Sequence, residues 1–241
     1  MKTLFALLLV CLTALPSFAF VPDGEELAAR LQKNYGPMRS WQAKMTFPDY
    51  PGVSVDLWFA RGRWRQEWTA GDKALAVGSL GNVVAACTSG NFPLSPLFVW
   101  MVPNPVQTWQ YWGVDVTSGS YGFCGDAPCL MLGAAPADKS GPTIHLNNED
   151  LAPLLIRYPS DAGMVSVAFS DYRTFAGYRV PQKVTVRAGG VELAADVSWV
   201  RLNGADSEEL YAGDALDAAP CAEPAQPFDI LRQSFRYPGA E

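Results

Sequence analysis

Histidine is almost absent from this chain: among 241 residues only His145 is one. A metal site built on paired imidazoles is thereby excluded, and a nucleophile that needs a histidine base has a single candidate. No serine sits in a G-x-S-x-G turn, so the common hydrolase arrangements find no support. Basic residues are few as well, 18 Lys and Arg against 24 Asp and Glu, for a net charge of −6. A phosphate-backbone binder needs a concentrated positive field, so nucleic acid is not an expected partner. Apolar runs of the ~20 residues that a membrane-spanning helix needs are missing too. The Leu-rich run at 4–15 follows Met1-Lys2-Thr3 and precedes Pro16-Ser17-Phe18-Ala19. Small residues at Ser17 and Ala19 mark it as a secretory signal, cleaved after Ala19. The expected product is one periplasmic domain over 20–241. Cys11 lies inside the apolar run, too close to Met1 to serve as a lipid anchor.

Cysteine is scarce: five in all, four of them beyond the signal. In an oxidising compartment Cys87, Cys124, Cys129 and Cys221 are expected to pair. Of the three possible pairings we expect Cys124 with Cys129, because they are close in sequence, and Cys87 with Cys221. A zinc site would want two short C-x-x-C spacings, and Cys124-Gly-Asp-Ala-Pro-Cys129 is a single wider one.

Against these absences stand 49% hydrophobic residues and eight tryptophans, enough for a sizeable core in a chain of this length. Leu27, Leu31 and Tyr35 recur every four residues, which predicts a helix that starts after Asp23, its cap, and stops before Gly36-Pro37. Trp41, Ala43, Met45 and Phe47 alternate with polar residues, as do Val53, Val55, Leu57 and Phe59, and Trp64 and Trp68 follow the Arg61-Gly62 turn. These read as an antiparallel meander that continues through 73–77 and 83–87. In 91–150 Pro93, Pro96, Pro103 and Pro105 break the apolar stretches, and one or two short helices with strands near 130–132 and 143–146 are expected. Sheet returns at Val165, Val167 and Phe169, at 180–187 and at 191–202, where the apolar parity changes near Trp199 and suggests a bulge. The proline-rich tail from Gly213 reads as an extended strap.

Two stretches carry a family pattern. The first is Asp171-Tyr172-Arg173-Thr174-Phe175-Ala176-Gly177-Tyr178-Arg179-Val180-Pro181, followed by a hairpin and a strand ending in Leu202-Asn203. The second is the helix ending at Tyr35, the Trp41 strand and Trp58-Phe59-Ala60-Arg61-Gly62-Arg63-Trp64-Arg65. In this order they resemble the outer-membrane lipoprotein carrier (LolA/LolB-like) superfamily over roughly 25–90 and 150–212; 91–150 does not align. The resemblance implies an α+β fold, an open antiparallel half-barrel with short helices closing an apolar cavity. It implies a non-enzymatic carrier of lipoprotein or lipid acyl chains in outer-membrane biogenesis, with no cofactor and with a membrane-bound donor or acceptor protein as a further partner. It also implies an arginine that latches the lid, for which Arg61 and Arg63 are the candidates.

Large apolar rings give contact area without demanding one ligand shape. Leu57, Phe59, Trp64 and Trp68 on the strands, with Phe98, Trp100, Met101, Trp109 and Trp112 in the middle region, are therefore the expected cavity and lid lining. The competing reading is that these residues fill the core, in which case the scaffold would bind a protein partner as a sensor or assembly factor. His145, flanked by Ile144 and Leu146, is expected to point away from them as a hydrogen-bonded or solvent-facing residue. Glu149-Asp150 and Glu208-Glu209 are sequence neighbours, which does not make them a catalytic pair.

Overall fold

The computed structural model describes residues 21–79, 82–86, 93–160, 163–213 and 226–232. The signal segment, Cys87 and Cys221 lie outside them, and so do the expected cleavage after Ala19 and the second cysteine pairing.

Helix α1 spans Gly24–Tyr35. The Asp23 carboxylate accepts the Glu26 N–H at 2.9 Å, and Glu25 and Glu26 occupy the first turn, where the helix dipole favours acids. Leu27, Leu31 and Tyr35 form its buried stripe.

Fourteen strands follow among the described residues. The meander comprises β1 (Ser40–Thr46), β2 (Val53–Ala60), β3 (Arg63–Ala70), β4 (Asp72–Ser79) and β5 (Asn82–Ala86). Next come helix α2 (Pro105–Tyr111) and strands β6 (Gly119–Cys124), β7 (Ala127–Gly133), β8 (Thr143–Asn147), β9 (Pro153–Ser160) and β10 (Gly163–Ser170). The chain then makes a small separate hairpin, β11 (Arg173–Phe175) with β12 (Tyr178–Val180), before β13 (Lys183–Ala188) and β14 (Val191–Leu202).

Twelve strands form one antiparallel sheet in the order β5-β4-β3-β2-β1-β14-β13-β10-β9-β8-β7-β6. Pairing of β1 with β14 joins the first part of the chain to the last. Among the described residues β5 and β6 are the two unjoined edges, so the sheet is an open half-barrel. Its turns suit this shape. Arg61 and Gly62, at φ 53° and 83°, join β2 to β3 as a two-residue turn with both residues left-handed, the geometry that matches the twist of a hairpin. Gly189 and Gly190 do the same between β13 and β14.

One face of the sheet is buried. Val55 and Leu57 on β2 lie beside Trp68 and Gln66 on β3, and the same parity continues through Val165, Val167 and Phe169 on β10. On β14 the change of parity is real: Gln42 pairs with Arg201 and Ala43 with Trp199, which leaves Val200 as an extra residue turned outward.

Two expectations need correction. The tail is not extended throughout, because Phe228–Arg232 is a 3-10 turn whose Phe228 ring packs on Phe47 at 4.8 Å and on Trp68 at 5.8 Å. Strands β6 and β9 also lie where no strand was expected. β9 reads Pro-Leu-Leu-Ile-Arg-Tyr-Pro-Ser, where three consecutive apolar residues hide the alternation, and β6 is an edge strand with two glycines; neither offers a clear period-two pattern.

Candidate functional site

The concave face of the half-barrel is filled by the chain itself. Segment 93–100, including the 3-10 turn Pro96–Val99, runs along the interior with every residue buried. It is clamped by Gln66, a fully buried side chain on β3: the Gln66 Nε2–H donates to the Pro93 carbonyl at 2.5 Å, and the Ser95 N–H donates to Gln66 Oε1 at 3.0 Å. The Ser95 hydroxyl completes the clamp by donating to the Met45 sulfur at 3.0 Å, and the Leu94 N–H donates to the Leu231 carbonyl at 2.9 Å. Buried polar groups need such partners, because an unpaired one costs about 1–3 kcal/mol.

Around this segment the rings interlock. Phe98 lies 5.0 Å from Trp64 and 5.7 Å from Trp41, and Trp100 lies 5.2 Å from Trp199 and 5.9 Å from Tyr35. The Trp100 indole N–H donates to the Tyr172 hydroxyl, which donates in turn to the Pro153 carbonyl. Burial pushes the Tyr172 hydroxyl well above its ordinary pKa, so it stays protonated and able to donate. Trp64, Trp68 and Trp109 differ: their indole N–H groups are buried without a hydrogen-bond partner among the described residues.

The open space lies at the mouth. A cavity of about 1220 Å³ runs between α1, the segment 101–107 that leads into α2, and the β1 and β2 ends near the Arg61-Gly62 turn. Its α1 wall follows the helix from Asp23 to Gly36. At 1.5 Å per residue that wall is about 20 Å long. Small side chains make it shallow: Gly24, Ala28 and Ala29 face the groove where larger residues would fill it. The floor is apolar, with Trp41, Phe59, Met101 and Val106, and the rim is polar, with Gln32, Arg39, Arg61, Gln107 and Gln110.

The expected lining residues therefore separate into two groups. Phe59 and Met101 border the groove. Leu57, Trp64, Trp68, Phe98, Trp100, Trp109 and Trp112 lie in the packed core. The two arginines separate as well. Arg61 is exposed and borders the groove. Arg63 points to the other face of the sheet, where its guanidinium makes two hydrogen bonds to Glu208, at 2.5 and 3.0 Å, and lies 5.0 Å from the centre of the Tyr211 ring. Arg65 holds the same outer segment through the Leu210 carbonyl at 3.0 Å and pairs with Glu67 on its own strand. Residues that the sequence reading did not single out, Ala28, Arg39, Val102 and Val116, complete the groove. A run of small residues on the exposed side of α1 was the one available signal for it.

Cys124 and Cys129 are joined by a disulfide across the β6–β7 hairpin, with Cα atoms 5.8 Å apart. His145 on β8 sits behind it, with Nδ1 3.5 Å from Cys124 Sγ. Burial, and after it the positive charges of Arg157 and Lys139, push the His145 pKa down to about 4, so the ring is neutral at pH 7. Among the described residues no group of three or more His, Cys, Asp or Glu could hold a metal ion.

No family model and no curated protein matches the chain. Among solved structures it is similar to a LolA superfamily protein from Nitrosomonas europaea, at 10% identity and a TM-score of 0.43, over 81% of this chain and 100% of that one. It is similar to a DUF1329 family protein from Desulfovibrio piger, at 14% identity and a TM-score of 0.47, over 80% and 98%. It is also similar to a domain described as an outer membrane lipoprotein-sorting protein from Vibrio parahaemolyticus, at 11% identity and a TM-score of 0.41, over 80% and 99%.

Proposed function

We propose that this chain is a periplasmic, non-enzymatic binding protein of the lipoprotein-carrier type, which takes an acyl chain into the groove along α1. The observation that carries this reading is the groove itself, about 1220 Å³ with an apolar floor and a polar rim. That is larger than the about 300–1,000 Å³ usual for small-molecule sites, and it is elongated. Each methylene withdrawn from water there contributes about 0.8 kcal/mol, so a chain can be held without any specific polar contact. Export is supported by the apolar run at 4–15 with its small-residue cleavage site, and by the Cys124–Cys129 disulfide, which suits an oxidising compartment.

The test is the native mass of the mature protein, purified from the periplasm without detergent, before and after organic extraction. An excess mass that extraction removes and that proves to be acyl lipid or lipopeptide is the expected result. A clean mass from a protein that also takes up no added fatty acid would sink the reading.

A second reading, binding of a protein partner on the same scaffold, is favoured by two observations. The interior is filled by the chain's own rings, and Phe123 stands 74% exposed on the open edge strand β6. A partner recovered by crosslinking at Phe123, together with an empty groove, is what that reading requires.

A further inference from the structure

The groove is not uniform in charge. Asp23 and Glu25 border it at the start of α1, and Arg39 and Arg61 border it beyond the other end of the helix. The acidic end is already engaged: Asp23 caps the helix, and Glu25 lies in the first turn at the positive end of the dipole. Among the described residues nothing of that kind engages the two guanidinium groups at the basic end.

Arg39 and Arg61 are neighbours across the β1–β2 hairpin, one step beyond the last ladder pair, Ser40 opposite Ala60. The Arg61 N–H donates to the Arg39 carbonyl at 3.1 Å. Alternate residues of a strand share a face. Arg39 therefore continues the row of Trp41, Arg61 opens the left-handed turn two residues after Phe59, and all four border the same groove. Trp41 and Phe59 stack with their planes 10° apart and their centres at 5.5 Å. An aromatic shelf thus ends at two guanidinium groups.

Other arginines nearby are committed: Arg63 to Glu208, Arg65 to Glu67, and Arg201 to Asp206. Arg39 and Arg61 are exposed, and among the described residues neither side chain forms a hydrogen bond or ion pair. One carboxylate does feel Arg61. Glu208 has its pKa lowered mainly by Arg63, which binds it, and only slightly by Arg61.

We propose that the groove selects single-chain amphiphiles with an anionic head. A fatty-acid carboxylate is held between Arg39 and Arg61, and its tail passes over Trp41 and Phe59 along α1 toward Val106 and Val116. The inference rests on the acyl-binding reading above and adds the class and the direction of the ligand. Guanidinium forks match the two oxygens of a carboxylate, and bonds of this kind are about twice as strong as neutral ones.

The experiment is calorimetric titration of the full mature chain with laurate, dodecanol and dodecyl phosphate. The parent is compared with the double variant Arg39→Gln/Arg61→Asn and with the control Lys33→Gln. Asn tolerates the left-handed backbone at position 61, and Lys33 is exposed on α1 but does not border the groove. Laurate is expected to bind the parent and the control about tenfold or more tightly than dodecanol. That preference should shrink as salt is added and vanish in the double variant. Equal affinity of the parent for laurate and dodecanol, or a preference that survives in the double variant, overturns the inference and leaves acyl binding standing. Dodecyl phosphate bound more tightly than laurate overturns the carboxylate in favour of a phosphoryl head. If none of the three binds, the acyl-binding reading falls and this one falls with it.

Discussion

Inside the half-barrel, Trp64, Trp68, Phe98, Trp100 and Trp109 are sealed from solvent, whereas at its mouth Phe59 and Met101 are only half-buried and border about 1220 Å³ of open space. The residue types are the same in both places. What differs is the chain available to cover them. The interior receives segment 93–100, fastened by Gln66 and backed by Phe228 and Leu231. The mouth receives α1, whose apolar stripe is buried and whose groove side offers Gly24, Ala28 and Ala29. An aromatic residue thus becomes core or groove wall according to the size of the side chains opposite it, not according to its own chemistry.

The largest effect that would sharpen this comparison is expected inside. Trp64→Ala removes a ring that is 2% exposed, and should lower unfolding stability by about 3–5 kcal/mol in chemical denaturation. Trp64→Phe should cost less than about 1.5 kcal/mol, because it keeps most of the volume and removes an indole N–H that has no partner. A Phe variant as unstable as the Ala variant would mean that the indole is anchored by something other than packing.

An intermediate effect is expected at the β6–β8 end of the sheet. In the fold His145 titrates at about 4, below its ordinary 6.5, so the unfolded chain binds the extra proton between these values. Stability is therefore complete above pH 6.5 and falls as the pH drops toward 4. For a half-buried ring partly screened by solvent we expect a loss of about 1–2 kcal/mol. His145 is the only histidine, so His145→Gln should flatten the stability profile in this window. An unaltered slope would assign the acid sensitivity to carboxylates.

The smallest effect on stability should come at the mouth. Ala28→Trp fills the groove from an exposed helix position, and should leave the unfolding free energy within about 0.5 kcal/mol of the parent while blocking uptake of a fluorescent fatty acid. Uptake that persists would place the acyl site elsewhere and erase the distinction between mouth and interior.

Much of this architecture was legible before any coordinates. Leu27, Leu31 and Tyr35 marked α1 because a helix that buries one stripe must space its apolar residues at three or four. The Trp41, Val53 and Trp64 strands, and the parity change near Trp199, were legible because a sheet wet on one side alternates. Strand β9 was not, since Leu154, Leu155 and Ile156 run together, and β11 and β12 are three residues each. At the site the aromatic inventory was readable, but its division was not. Phe98 and Met101 look alike in sequence, and one packs against Trp64 while the other faces the groove.

The sequence by itself determined the elements that depend on near neighbours: the Asp23 cap, the alternating strands, the Arg61-Gly62 turn and the short-range Cys124–Cys129 link. Only the tertiary structure decided which rings meet which. That Gln66 would clamp a segment 27 residues away, and that Arg63 would turn outward to Glu208 while Arg61 stays at the groove, are contacts between distant parts of the chain. Local pattern assigns a side chain to a face, but what stands opposite that face is settled when β1 pairs with β14 and the sheet curls around its own chain.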